Sequence, residues 1–337
     1  MKFSILDPVQ IPVGQTSGEA MRGSIALAQA AERLGYHRYW LVEHHDVAYE
    51  ANPAPEVLAT VIACATNSIR VGLGGVLLNH YSPYKAAEAA RTLGVLFPGR
   101  IDVGIGRSTA GPNADTALKR HRDVETPDDH DSQTEEFVGW LGNDLPAGSS
   151  FRSIGIMPDE AAGPHPWVLA ATQGTAVRAA RLGLPLACSA FHVPENAPGA
   201  FKAYLDNFRP SRFAAGVSKP ETLLAIRLII GETQEEAERL AMPMRALFKL
   251  RRKDNLMLDK MPTPDEAIAL MGGVLPAEDA AWPAYVVGSP ERVQATIARM
   301  VAVTGASEIM VQDVLHDQEL RLRNYELLAR TFGLRAA

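Results

Sequence analysis

A glycine-rich stretch that ends in an arginine is the clearest chemical feature of the sequence. Pro98-Gly99 turns the chain, the run 101–105 is apolar, and Arg107 follows Gly106 directly. Glycines in a strand let a ligand approach the backbone closely, and a guanidinium is a fixed fork of donors suited to phosphate. The stretch therefore indicates the floor of a cofactor site, with an ordinary strand and a surface ion pair as the alternative.

A pair of adjacent histidines, His44 and His45, follows another apolar run, 39–42. Neighbouring residues at the end of a strand point to opposite sides, so the two cannot line one pocket equally. A histidine in such a pocket is suited to acid–base chemistry because its pKa lies near neutrality. A metal site is the competing interpretation, but the first strand offers only Asp7 and no His-x-His, so no metal is expected.

Composition favours a globular protein that acts on small molecules. The chain has 337 residues, of which 47% are hydrophobic and 21% charged, and its formal net charge is −6. Because this charge does not attract nucleic acid or an anionic membrane, neither is expected as a partner. Cys64 and Cys188 lie in apolar segments, which predicts neither disulfides nor a cysteine zinc site. The sequence shows no signal peptide or membrane-length apolar run, and a cytoplasmic protein is expected.

Short apolar runs alternate with amphipathic helices along the chain. Eight strands are predicted, at 3–6, 39–42, 69–76, 101–105, 167–171, 185–190, 222–230 and 308–311. Helices are predicted at 17–34, 55–66, 84–96, 133–141, 172–182, 195–208, 233–250, 289–303 and 317–332. This alternation predicts an α/β fold, a parallel (β/α)8 TIM barrel, as a single domain over 1–337. A doubly wound sheet is the alternative, but no Gly-x-Gly-x-x-Gly follows the first strand.

Two excursions interrupt the alternation. Residues 142–166 are predicted to form an insertion or a short hairpin, and residues 251–283 to cross one face of the barrel, partly disordered. A barrel carries its site at the carboxyl ends of its strands, so the catalytic face is expected there. The polar and glycine residues at those ends are Asp7, 43–45, Gly74, Gly75, 79–80, 106–108, 172–175, 189–192 and 312–313.

Four segments of the sequence together resemble the bacterial luciferase-like flavin-dependent monooxygenases. They are YWLVEHH at 39–45, RVGLGGV at 70–76, FPGRIDVGIGR at 97–107 and VGSPE at 287–291, and the similarity covers most of the chain. The resemblance implies a (β/α)8 fold with insertions and reduced FMN supplied by a separate flavin reductase. It also implies reaction with O2, through a flavin hydroperoxide, to oxygenate a small-molecule substrate. A related branch suggests a deazaflavin and hydride transfer instead, and a flavin-binding protein without turnover is the third possibility.

The resemblance also assigns roles to single residues. Arg107, Thr172 and Thr175 match positions that hold the flavin phosphate, and the start of a helix beside them suits an anion. Gly74-Gly75 matches the place where this family carries a cis peptide bond that no proline follows, against the flavin ring. Gly106 stands where luciferase itself has a reactive cysteine.

His44 matches the residue that faces the flavin, where it is expected to act as the catalytic acid or base. Glu43 or Asp46 is expected to fix its tautomer. The expected substrate pocket comprises His80, Ser189, Phe191 and His192, with Trp282 and Tyr285 as further candidates for its apolar wall. The helix 55–66 is too apolar for a fully exposed position, and in this family such helices pair across a homodimer.

Overall fold

The computed structural model describes residues 1–108, 110–124, 128–160, 163–254 and 261–336, without the side chains of 112 and 251–254. The strands in this part of the chain are Lys2–Asp7 (β1), Arg38–Leu41 (β2), Arg70–Leu77 (β3), Ile101–Gly106 (β4), His165–Ala170 (β5), Leu186–Ser189 (β6), Thr222–Ile230 (β7), Val286–Gly288 (β8) and Glu308–Gln312 (β9). The α-helices are Ser17–Leu34 (α1), Pro55–Ala65 (α2), Pro83–Leu96 (α3), Pro112–Leu118 (α4), His130–Gly142 (α5), Gln173–Leu182 (α6), Ala197–Asn207 (α7), Gln234–Leu240 (α8), Met242–Asp254 (α9), Pro264–Met271 (α10), Pro290–Thr304 (α11) and Gln318–Phe332 (α12).

Eight strands close into a parallel barrel, which confirms the predicted TIM-barrel fold. The order around it is β1-β2-β3-β4-β5-β6-β7-β9, and β9 pairs again with β1. The short strand β8 pairs with the last residues of β7, Leu228–Ile230, and stands outside the closed ring. Three residues are too few to show a period-2 pattern, so the sequence did not predict β8. Among the described residues, no helix is long and apolar enough to span a membrane.

Large side chains fill the barrel interior, and a glycine makes room for one of them. Trp40 and Trp167 meet edge to face, with ring centroids 5.7 Å apart. A Cβ built on Gly72 would overlap the indole of Trp40, so this position must be glycine for the ring to fit. The interior cluster comprises Leu6, Trp40, Val42, Trp167, Ala187, Phe191, Leu223, Ala225 and Met310.

Buried ion pairs close the amino end of the barrel. Arg38 binds Asp102 at 2.8 Å and Glu308 at 2.9 Å, and Arg70 pairs with Asp102 as well. Burial alone would raise the pKa of the Asp102 carboxyl, but the two guanidinium groups outweigh it and hold that pKa below its ordinary value. All four residues start or nearly start their strands, so the network sits at one end of the ring.

Two acidic residues predicted on the catalytic face point towards a helix instead. Asp7 and Asp313 are fully buried, and each pairs with Arg321 of α12 at 2.8 Å. The hydroxyl groups of Tyr39 and Tyr325 donate to the same two carboxylates. Side chains alternate between the two faces of a strand. A residue at the carboxyl end of a strand therefore need not point into the opening at that end of the barrel, here called the mouth. The prediction was wrong for this pair, which binds α12 to the barrel.

The described parts of the two excursions contain defined contacts and one helix. The described part of 142–166 contains no hairpin, and Arg91 of α3 holds it by donating to the carbonyl groups of Leu141, Pro158 and Glu160. In 251–283, α10 begins with a complete capping box and a proline in its first turn. Residues 255–260 of this segment lie outside the described residues. That the whole chain forms one domain stays a prediction.

Candidate active site

Glycines let the carboxyl ends of β3 and β4 pack closely against each other and against Leu169 of β5. The Gly74-Gly75 peptide bond is cis, as predicted, and the register between β3 and β4 shifts there. A Cβ on Gly75 would lie 2.5 Å from the carbonyl oxygen of Gly104, and a Cβ on Gly104 would lie 2.9 Å from that of Leu73. Neither position accepts a side chain. Gly106 differs, because the nearest atom to its Cβ would be 3.4 Å away, an ordinary contact that a small side chain can make.

A cavity of about 170 Å³ is framed by the end of β5, including Leu169, and by the helices α5 and α6. Its polar lining comprises Arg107, His130, Asp131, Thr134, Glu135, Thr175, Arg178 and Arg181. Two of the three residues predicted to hold a phosphate, Arg107 and Thr175, therefore come together. The third, Thr172, is the N-cap of α6, and its hydroxyl lies 3.2 Å from that of Thr175. Thr175 belongs to the first turn of α6, where the positive end of the helix dipole favours an anion.

Two of the three arginines of this cavity, Arg107 and Arg178, are paired with exposed aspartates. Arg107 Nη2 lies 2.6 Å from Asp128, with 49% and 78% of the two side chains exposed, which is the surface ion pair that the sequence left as the alternative. Arg178 Nε lies 2.9 Å from Asp131, and its Nη2 donates to Thr175 Oγ1 at 3.2 Å. Exposed pairs contribute little net energy, so an incoming anion can replace these aspartates.

Sequence reasoning missed Arg178 and His130. Arg178 follows Thr175 by three residues in α6, which places both on one side of the first turn, a spacing that could have been recognised. His130 begins α5, and its Nδ1 is buried without a hydrogen-bond partner among the described residues. Burial lowers the pKa of His130, the charges of Arg107 and Arg178 lower it further, and those of Asp131 and Asp128 oppose this effect. Three arginines and two acidic residues line the cavity, so its lining carries a small excess of positive charge.

Each histidine of the adjacent pair is bound to its own glutamate. His44 Nδ1 contacts Glu50, while His45 Nε2 lies 2.8 Å from Glu43. His44 is the more open of the two, with 43% of its side chain exposed, whereas His45 is largely buried. The expected partner of His44 was wrong, because the loop after β2 folds back and Glu50 forms a bridge with Gln10. That His44 faces a flavin stays a prediction.

Glu43 is a buried junction between the ends of β2 and β3. Its carboxylate accepts from the Tyr81 hydroxyl at 2.8 Å and from the Leu77 backbone N–H at 3.1 Å, in addition to His45. His80, predicted in the substrate pocket, lies beside this junction, with Nε2 3.3 Å from Asp115 of α4 but without hydrogen-bond geometry. Burial is the largest influence on His80 and lowers its pKa.

The other predicted pocket residues lie near β6 and β7. Ser189 Oγ and His192 Nδ1 are 3.0 Å apart just after β6. Phe191 is buried, and the guanidinium of Arg227 lies 4.6 Å from its ring centroid. Trp282 packs against the main core. Arg227 was not predicted from the sequence as a site residue, although it is the single charged residue in the apolar run of β7.

Two further aromatic rings surround this arginine. Arg227 lies 4.1 Å from the ring centroid of Phe248 and 5.8 Å from that of Tyr285. Its Nε donates to Gln312 at the end of β9 at 2.8 Å. The mouth on this side thus holds a positive charge among aromatic rings.

The sequence matches the family described as luciferase-like monooxygenase over residues 1–308. The chain belongs to the luciferase-like monooxygenase family. It is 33% identical to a protein named luciferase-like monooxygenase from Escherichia coli K12, an alignment that covers 96% of this chain and 95% of that protein. The crystal structure of apo-MsnO8 matches at 38% identity with a TM-score of 0.88, covering 99% of this chain and 98% of that one.

More distant structures share only the fold of this luciferase-like chain. One is the oxygenating constituent of 3,6-diketocamphane monooxygenase from a Pseudomonas putida plasmid in complex with FMN, with 18% identity, a TM-score of 0.71, and coverage of 99% and 98% of the two chains. Another is an F420-dependent secondary alcohol dehydrogenase, with 14% identity, a TM-score of 0.66 and the same coverage. The family and its relatives support an oxidoreductase.

Proposed function

We propose that this protein is a monooxygenase that uses reduced FMN and O2 to oxygenate a small organic substrate. The observation that carries the proposal is the cavity at the ends of β4 and β5. There Arg107, Arg178 and Thr175 converge on the start of α6. The phosphate of FMN is a compact dianion, and two guanidinium groups, a hydroxyl and a helix N-terminus are the donors that such a group takes.

The ring of the same cofactor is placed beside the cis peptide bond at Gly74-Gly75. Leu169, which lines the cavity, packs against Gly75 and Gly104 and so lies between the phosphate site and this peptide bond. When bound, the reduced flavin supplies the two electrons with which O2 is activated for transfer to the substrate. Arg107 and Arg178 exchange their exposed aspartates for the phosphate and so fix the orientation of the ring.

His44 is the residue proposed to move a proton. Because its Nδ1 is bound to Glu50, Nε2 is the ring atom left to exchange a proton with the substrate. Glu50 orients the imidazole. Across the mouth, Phe191, Phe248 and Tyr285 provide the apolar surface that excludes water from the reaction.

Two partners complete the proposal. One is a flavin reductase, a separate enzyme that supplies reduced FMN by diffusion. A second copy of the chain covers α2, where Val57 and Val61 are exposed one turn apart on the same face. The second partner is checked by the mass of the protein in solution, which for a homodimer is twice that of the chain.

The test is an anaerobic titration with reduced FMN and, separately, with a reduced deazaflavin, followed by mixing with ¹⁸O₂ and a panel of small ketones, aldehydes and thioethers. We expect reduced FMN to bind and one ¹⁸O atom to enter a product. Binding of the deazaflavin alone, with hydride transfer to a ketone, would replace this proposal by the dehydrogenase. Bound FMN that reacts with O2 as free FMN does would indicate a flavin-binding protein without turnover.

A further inference from the structure

A second and larger cavity, of about 390 Å³, lies against α9, α10 and the segment that leads to β8. It shares no lining residue with the cavity at the start of α6. Its lining is mainly apolar and includes Phe248, Met271, Leu275, Pro276 and Tyr285. The charged groups of the lining are Arg245, Lys249 and Glu278, so the site combines an apolar wall with an excess of positive charge.

Arg245 is the unusual residue of this cavity. Only 7% of it is exposed, its Nη1 donates to the carbonyl group of Leu275, and its Nη2 is buried without a hydrogen-bond partner. No acidic side chain in the described ranges forms a salt bridge with it. A buried guanidinium normally has its donors satisfied, because an unpaired buried charge is costly.

The nearby carboxylates are occupied by other donors. Glu278 accepts from the backbone N–H of Ala284 at 2.8 Å, and Glu238 accepts from that of Ala277 at 2.8 Å. Burial is the largest influence on Arg245 and lowers its pKa, and the charges of these two glutamates oppose that effect only in part. Arg245 thus presents to the cavity a hydrogen-bond donor without an acceptor and a positive charge without a salt-bridge partner among the described residues.

We propose that this cavity binds a small organic acid, with its carboxylate on Arg245 Nη2 and its apolar body against Phe248 and Leu275. A carboxylate fits better than a phosphate, since one buried Nη2 and the exposed Lys249 at the rim are too few donors for a dianion. The apolar wall excludes a purely polar anion such as sulfate. The acid therefore needs a hydrocarbon chain or ring.

The cavity is separated from the barrel mouth by one layer of aromatic side chains. Phe248 and Tyr285 are stacked, with ring centroids 5.9 Å apart, and both line the cavity. The same two rings contact Arg227 at the mouth. A bound acid therefore packs on rings that also face the proposed substrate, while the binding itself requires no flavin.

The test is calorimetric titration of the full chain, without flavin, with octanoate as the probe and 1-octanol as its uncharged counterpart. We expect octanoate to bind with saturation and Arg245→Met to weaken it roughly tenfold or more, the effect of losing a charged hydrogen bond. The affinity for 1-octanol should be the same in both proteins. Equal loss for octanoate and 1-octanol, or octanoate binding that survives Arg245→Met, would overturn the proposal.

A second variant keeps the test decisive if Arg245→Met does not fold. Leu275→Trp fills the cavity and leaves Arg245 in place, so it should abolish octanoate binding. Leu270→Trp is the matched control, because Leu270 is an exposed residue of α10 that does not line the cavity. Retention of octanoate binding in Leu275→Trp, or its loss in Leu270→Trp, would contradict the assignment.

Discussion

The two ends of the barrel use the same chemical pair, an arginine with an aspartate, at opposite degrees of burial. At the amino end, the side chains of Arg38 and Asp102 are 6% and 0% exposed. At the carboxyl end, those of Arg107 and Asp128 are 49% and 78% exposed. A buried pair is costly to break because it leaves an unpaired charge in the interior, whereas an exposed pair is nearly neutral in energy. The first therefore serves the fold, and the second is available to a ligand.

The largest effect is expected where the buried network is broken. Asp102→Asn removes the charge that Arg38 and Arg70 share, so the free energy of unfolding should fall by about 3–5 kcal/mol. Urea denaturation measures this loss. The matched control, Asp128→Asn at the other end, should change stability by less than about 1 kcal/mol. Similar losses in the two variants would remove the distinction between the ends.

At the carboxyl end, the largest effect is expected on catalysis and not on stability. His44→Ala should slow turnover by about 10²–10⁴, the usual share of an acid or base, and leave flavin binding unchanged. Steady-state oxygenation, normalised to folded protein, measures it. His45→Ala is the comparison, because His45 is largely buried on Glu43 and should lose stability instead. A His44 variant that melts early but turns over normally would assign His44 to the structure.

Flavin affinity is expected to depend on the exposed pairs. Arg107→Ala should weaken FMN binding by about 1.5–3 kcal/mol, the range for a charged hydrogen bond, with no change in melting temperature. Fluorescence titration of FMN gives the affinity. Arg330→Ala is the control, since it removes an equally exposed ion pair, with Glu232, on α12. The assignment fails if both variants bind FMN as the wild type does.

Two glycines of β4, Gly104 and Gly106, are expected to differ in how much stability is lost when each is replaced by alanine. Gly104→Ala places a Cβ 2.9 Å from a carbonyl oxygen, and overpacking of this kind costs about 1–3 kcal/mol. Gly106→Ala meets only ordinary contacts and should cost less than about 0.5 kcal/mol. Thermal and urea unfolding of the two variants will show whether packing distinguishes these positions.

The smallest effect is expected on how the free energy of unfolding changes as the pH falls. The pKa of Asp102 is lower in the folded protein than in the unfolded chain, so its contribution to stability is present above the unfolded pKa, about 3.9. That contribution is lost as the pH falls through the folded pKa. Unfolding in urea at decreasing pH should therefore show a steeper loss of stability in the wild type than in Asp102→Asn. Parallel curves would show that Asp102 does not carry this pH dependence.

The barrel could be predicted from the sequence because each of its eight strands is a local apolar run and each is followed by a helical pattern. Elements without such a pattern were missed, among them β8 with three residues and α4 inside the long loop after β4. The predicted helix 233–250 is divided at Ala241 into α8 and α9. Its apolar spacing continues across the break, so the division leaves little trace in the sequence.

The candidate site could be predicted only where one segment carries its own chemistry. Arg107 and Gly74-Gly75 lie in short sequence motifs from which their roles could be predicted. Arg178 could have been recognised from its spacing to Thr175 in the same helix, whereas Glu50 reaches His44 only because the loop after β2 folds back. Asp7 was misplaced because the side of a strand end that a residue faces depends on the packing of α12.

The account depends most on the phosphate site at the start of α6, and the affinities of FMN and riboflavin test it directly. Riboflavin has the same ring without the phosphate. The ratio of the two affinities therefore measures the contribution of the groups that bind the phosphate. In the wild type, FMN should bind roughly tenfold or more tightly than riboflavin, and in the Arg107→Ala, Arg178→Ala double variant the two should bind alike. Equal binding of FMN and riboflavin by the wild type would contradict the account.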